Sequence, residues 1–213
     1  FAMFQLILDL IFPRRSLYGD EGAFITAQES QKIVVKPIVE MAESLQQHDI
    51  KYLDCIRAAL PYESSSLVRR AVHTLKYRRV PGLHITLAQL IVRSLQIEDF
   101  QGVLCPVPLH WTRQFWRGFN QAELLAHVVG EGTELPVERL LRRARPTGSQ
   151  ARRNRSERLT ALDGAFRVNS SAMPKTVILI DDLATTGSTL DACAYTLKQA
   201  GVERVEGWVI AHG

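Results

Sequence analysis

Cysteine is scarce, and nothing in its arrangement could staple a fold. Cys55, Cys105 and Cys193 are the only three in 213 residues; they stand far apart among apolar neighbours and form no CxxC pair. An odd, scattered set excludes a disulfide framework and reads as small buried thiols kept reduced. No apolar run reaches the roughly 18 residues a membrane helix requires, which excludes a span and fits a cytoplasmic protein. The opening FAMFQLILDLIF has no basic leader and no small-residue cleavage site before PRR. It reads as a short helix packed on the body rather than a signal peptide. There is no internal repeat, no low-complexity tract and no GK[ST] triphosphate loop. His73, His84, His110, His127 and His212 show neither metal spacing nor a nucleophile partner, so each reads as structural or exposed.

What is present is the composition of an ordinary globular chain, 46% hydrophobic and 23% charged. The net charge of +4 is unevenly spread. Residues 1–60 hold six Lys or Arg against eight Asp or Glu, whereas residues 61–213 hold twenty against fourteen. The positive excess sits with the later part of the chain and suits a polyanionic ligand, either a sugar diphosphate or a nucleic acid backbone.

The pattern along the chain is helical first and α/β afterwards. Residues 14–32 read as an irregular connection. Between Pro37 and Leu60, the spacing of Val39, Ala42, Leu45, Leu53, Ile56 and Leu60 predicts helix with a break near His48 and Asp49. SSSLVRRAVHTLKY predicts a Ser-capped helix burying Leu67, Val68, Ala71, Val72 and Leu75, and Leu83–Leu95 a second one. GVLCPVPL, VERLLRRA, TVILIDD and VERVEGWVIAHG read as strands. NQAELLAHVVG and TLDACAYTLKQAG read as helices, the first with Asn120 as cap and Glu123 in its third position. Strands alternating with helices imply a mostly parallel sheet. The expected division is an N-terminal helical and irregular region, 1–60, packed on a domain of residues 61–213.

The strongest chemical signal is TVILIDDLATTGST, residues 176–189. Ile178, Leu179 and Ile180 would lie inside the sheet, with Asp181 and Asp182 at its end. Two adjacent carboxylates there are costly unless ribose hydroxyls or a hydrated magnesium ion meets them. Ala184, Thr185, Thr186, Gly187, Ser188 and Thr189 then lead into a helix. Small residues admit a phosphate to the backbone amides, the hydroxyls add donors, and the helix start adds orphan N–H groups and a positive dipole end.

This segment resembles the phosphoribosyl pyrophosphate (PRPP) signature of type I phosphoribosyltransferases. The resemblance implies that Asp181 and Asp182 face the ribose hydroxyls and that Ala184–Thr189 hold the 5-phosphate. CPVPLHWTRQFWRGFNQAELLA, the upstream LKY at Leu75–Tyr77, and LLRRARPTGSQARRNRSERLTALDGAF are further similar to the competence protein F (ComF-type) family. Together these matches cover about residues 67–213. They imply an α/β, type I phosphoribosyltransferase-like fold, Mg²⁺ bound with PRPP, and a part in DNA uptake during natural transformation, with single-stranded DNA and a competence-associated helicase as partners. Relatives usually begin with a small zinc unit of FP-x-x-C-x-x-C type. Here FPRRSLYG carries Ser16 where the first thiol would stand, and no cysteine precedes Cys55, so no zinc is expected.

The resemblance also assigns the arginines. Arg113 and Arg117, with Gly118, Asn120 and Gln121, would face the pyrophosphate, whose oxygens suit guanidinium forks; Arg117 joins Asp181 and Asp182 as a catalytic candidate. Phe115, Trp116 and Phe119 interleave with them, for stacking or for burial. Lys76 is a candidate phosphate contact at a helix end. Residues 139–158 hold eight arginines, among them Arg142, Arg143, Arg145, Arg152, Arg153 and Arg155, against one acid, Glu157. Such a stretch serves either as a loop closing over PRPP or as a track for single-stranded DNA. Whether a reaction is catalysed, and on which acceptor, stays open at this point.

Overall fold

The computed structural model describes residue 25 and residues 33–77, 82–95, 100–109, 118–144, 164–170 and 172–213. The main sheet has five strands: β1 (Ile38–Met41), β2 (Cys55–Pro61), β3 (Val103–Pro106), β6 (Thr176–Ala184) and β7 (Arg204–His212). Their spatial order is β1-β2-β7-β6-β3. β2, β7, β6 and β3 run parallel, and β1 is an antiparallel edge. β6 therefore lies between two parallel neighbours. Its continuous apolar run, with Val177 to Ile180 all buried, is what a strand covered on both faces requires.

Helices α2 (Ser66–Tyr77), α3 (Leu83–Ser94) and α4 (Gln121–Thr133) cover one face. Leu67, Ala71, Leu87, Ile91, Leu125 and Val129 from these helices pack with Ile178, Ile180, Trp208 and Ile210 of the sheet. The other face takes α1 (Ala42–Gln47) and α5 (Ser188–Gln199), through Leu45, Leu190, Cys193 and Leu197 packed on Val177, Leu179, Val205 and Val209. Two helix starts follow from the sequence as expected. Ser65 Oγ accepts the Val68 amide at 3.3 Å, and Asn120 Oδ1 accepts the Ala122 amide at 3.2 Å. The Glu123 carboxylate pairs with Arg139.

One reading requires correction. The helix expected over Pro37–Leu60 is present only as α1, flanked by strands β1 and β2. In CIRAALP the spaced apolar residues belong to a strand buried on both faces, a pattern that periodicity alone does not separate from a helix. β2 pairs with β1 and β7, so residues 38–61 contribute two strands to the main sheet. VERLLRRA does supply a strand, β4 (Leu141–Arg143), but in a separate two-stranded antiparallel sheet with β5 (Phe166–Val168). Leu141 and Phe166 turn this small sheet onto the apolar side of α5.

All three cysteines are free and buried, as their isolation predicted. Burial pushes the Cys55 and Cys105 thiols up to about 11 and raises Cys193 well above the ordinary thiol range, so none is an activated nucleophile.

Candidate functional site

The carboxyl ends of the four parallel strands lie along one edge of the sheet, where a parallel α/β fold gathers its loops and helix starts. β6 runs straight through both aspartates to Ala184, so the connection to α5 is only Thr185, Thr186 and Gly187. Adjacent strand residues point to opposite faces. Asp181, half-buried, therefore shares a face with Val177 and Leu179, and Asp182, 2% exposed, shares the other with Ile178 and Ile180. The repulsion that sequence adjacency suggests is thereby reduced. Asp181 Oδ1 also accepts the Asp182 amide at 2.8 Å.

The turn itself is tight. Gly187 adopts φ 69°, a left-handed conformation that side chains disfavour, and serves as the N-cap of α5 without a side chain to occupy the helix start. Thr186 Oγ1 and Ser188 Oγ share a hydrogen bond of 2.8 Å, and Thr185 is exposed. The loop is held at its base by the end of β7. Ala184 O accepts the Gly213 amide at 3.2 Å and contacts His212 Nδ1 at 2.6 Å, while His212 Nε2 lies 3.3 Å from Glu40 of β1. The structure thus brings together Asp181, Asp182, Ala184, Thr185, Thr186, Gly187, Ser188 and Thr189. It adds His212 and Glu40, which no sequence spacing marks.

At the end of β3, Asn120 donates to Val107 O at 3.1 Å while it caps α4, and Gln121 is buried beside it. Gly118 has φ 73°. A cavity of about 270 Å³ opens here, lined by Pro106, Pro108, Asn120, Arg142, Arg143 and Asn169, with the Glu123–Arg139 pair also in its wall. Arg142 is exposed, whereas Arg143 is half-buried with its guanidinium 5.3 Å from the centre of the Phe166 ring. Arg113, Arg117, Arg145, Arg152, Arg153 and Arg155 lie outside the described residues. So does the side chain of Lys76, in the last turn of α2.

Among the described residues no group of three or more His, Cys, Asp and Glu could hold a metal ion. Magnesium asks for less protein than that: it prefers oxygen, keeps most of its water and sits on one or two carboxylates plus substrate phosphates. Of the two carboxylates, half-buried Asp181 is of this kind, whereas Asp182 is buried on the opposite face of β6. No helix among the described residues is long and apolar enough to cross a membrane.

The site thus lies in a mostly parallel α/β domain, where a carboxylate pair near the end of an inner strand is followed by a hydroxyl-rich turn into a helix. No family model matches the chain. Competence protein F of Haemophilus influenzae is 35% identical over 151 residues, 66% of this chain and 66% of that protein. DNA utilization protein YhgH of Salmonella typhimurium is 32% identical over 150 residues, 65% of this chain and 64% of its own length. Competence protein ComFC of Bacillus subtilis is 39% identical over 103 residues, 48% of this chain and 41% of the relative. The chain is homologous to these competence and DNA utilization proteins, and the match spans just under two thirds of the first two. Among solved structures, glutamine PRPP amidotransferase from B. subtilis superposes with a TM-score of 0.45 at 17% identity, over 65% of this chain and 30% of the enzyme.

Proposed function

We propose that the carboxyl edge of β6 binds PRPP or a related phosphorylated ribose, and that the protein acts in the cytoplasm in the uptake or use of DNA. One observation carries the reading. The Asp181–Asp182 pair, the hydroxyl turn and the uncapped start of α5 are continuous in the chain and meet at one edge of the sheet. The pair supplies acceptors for ribose hydroxyls. The turn and helix start supply N–H and O–H donors for a 5-phosphate. Arg113 and Arg117 are assigned to the pyrophosphate, and Lys76 to a further phosphate contact. Magnesium bound with the PRPP would supply positive charge against the departing pyrophosphate. In a phosphoribosyl transfer, Asp181 and Asp182 hold the ribose while an acceptor attacks its C1 and pyrophosphate leaves. The test is calorimetric titration of PRPP with Mg²⁺ into the purified protein. Binding in the micromolar range supports the pocket, and its absence removes it.

A second reading rests on Arg142, exposed at a cavity of about 270 Å³ whose wall also carries Arg139 and Arg143. In this reading the arginines, with Arg145, Arg152, Arg153 and Arg155, follow a single-stranded DNA backbone, and a competence-associated helicase is the protein partner. The relatives, competence proteins and DNA utilization proteins, favour a link to nucleic acid in either case. Binding that weakens steeply with salt, without PRPP turnover, would select the accessory role.

A further inference from the structure

Asp191 lies in the first turn of α5, where its amide donates to Gly187 O at 2.9 Å. Its side chain is 4% exposed. It does not cap its own helix. Instead Oδ1 accepts three consecutive backbone amides from a distant segment: Lys51 at 3.0 Å, Tyr52 at 2.7 Å and Leu53 at 3.1 Å. Successive N–H groups converging on one oxygen form an anion-holding nest. Burial pushes the Asp191 carboxyl up from the ordinary aspartate range, and the three amides oppose that shift.

The same segment touches the turn at a second point. A Cβ added to Gly187 would come within 3.2 Å of Ile50 Cδ1 and 3.4 Å of Ile50 Cγ1, so Ile50 fills the space under the glycine. Residues 50–54 are themselves fixed at both ends, by Ile50 N to Leu45 O at 3.1 Å and Asp54 N to Val205 O at 2.9 Å. Ser188, Thr189 and Leu190, whose amides open α5, are thus bracketed between an apolar support under Gly187 and a polar anchor at Asp191.

We infer that residues 50–53 and Asp191 form a brace that sets the turn 185–190, with Asp191 as a positioning residue for whatever anion this turn holds. A free carboxylate at a helix start would repel a phosphate approaching the same dipole end. The nest removes that conflict by giving the charge three donors of its own, so the amides of Ser188 to Leu190 stay directed at the turn. The consequence for a 5-phosphate rests on the phosphoribosyl reading; the brace does not.

The test follows amide hydrogen exchange at Gly187–Leu190 in the full chain and in Asp191→Ala, Asp191→Asn and Ile50→Ala, with ribose 5-phosphate titrated into each. Asp191→Ala and Ile50→Ala should raise exchange at these amides by about tenfold, as local opening becomes easier. Both should weaken ribose 5-phosphate binding in the same order. Asp191→Asn keeps an oxygen for the three amides and should stay within about twofold of the parent. Parental exchange rates in a folded Asp191→Ala protein overturn the brace, as does an Asn variant as damaged as the Ala one. Should Asp191→Ala fail to fold, Ile50→Ala decides by the same readout. If the parent itself does not bind ribose 5-phosphate, the phosphoribosyl reading fails while the exchange rates still judge the brace.

Discussion

The two ends of the parallel sheet use charge in opposite ways. At the amino end, charges close on one another. Asp54 takes Lys198 at 2.8 Å and the Val205 amide at 2.7 Å. Glu206, 5% exposed, takes Arg57 at 3.2 Å, Arg204 at 2.8 Å and Trp208 Nε1 at 3.1 Å. The hydrogen bond to Glu206 pushes the Arg204 guanidinium up further. At the carboxyl end, Asp181 and Asp182 stand beside hydroxyls, a left-handed glycine and a helix start, with the nearest acid of α5, Asp191, drawn away into its own nest. Donors and acids matched within the chain hold the strands in register. The hydroxyl-bearing turn beside acids at a strand end is where the proposed ribose phosphate would sit.

Five substitutions test this contrast, beginning with the largest effect. Replacing both Asp181 and Asp182 by Asn should weaken PRPP binding by calorimetry about a hundredfold or more, since each ligand hydrogen bond to a charged group contributes about 1.5–3 kcal/mol. The fold should be retained, since Asn at 181 keeps an oxygen for the residue-182 amide; a large fall in melting temperature would make the pair structural and erase the contrast. Glu206→Ala should do the reverse. It should lose about 2–4 kcal/mol in denaturant unfolding, as Arg57, Arg204 and the Trp208 N–H lose their common acceptor, and leave PRPP affinity unchanged. Gly187→Ala should cost about 1–2 kcal/mol, because an L-residue is forced to a left-handed φ and onto Ile50. It should also weaken ligand binding, showing that the turn belongs to both regimes.

Arg142→Ala, at an exposed position, should leave stability alone. If the strand-binding reading holds, it should reduce the slope of log affinity against log salt for single-stranded DNA by about one contact. The smallest effect concerns pH. The folded Asp191 carboxyl sits above its unfolded value, so the folded state holds its proton to higher pH. Stability therefore declines as pH rises from the ordinary aspartate range through that raised value. Asp191→Asn should flatten this part of the pH–stability curve. An unchanged slope would assign it to another group.

Much of the local architecture of the candidate site could be read before the fold because its parts are consecutive. Residues 176–189 announce strand, carboxylates, turn and helix in order, and each lies where local chemistry requires it. The α2 and α3 stripes were legible for the same reason, since an amphipathic helix prints its buried face at short spacing. Residues 37–60 misled because a short strand buried on both faces carries no alternation, and its helix-like spacing was the only signal left. The helix–dipole preference for acids marks Asp191 only as an ordinary first-turn residue. Its partners lie about 140 positions away, and nothing local names Ile50, Glu40 or His212 as neighbours of the turn.

The sequence by itself determined the residue types of the turn, the apolar run that buries β6 on both faces and the isolation of its thiols, because these depend on neighbours along the chain. Tertiary structure decided which side of the sheet each aspartate faces, that β1 and β2 join the main sheet, and that a nest of amides takes up the charge of Asp191. The reason is physical: strand pairing and close packing join residues by distance in space, and a contact across 140 residues leaves no periodicity for a local pattern to display.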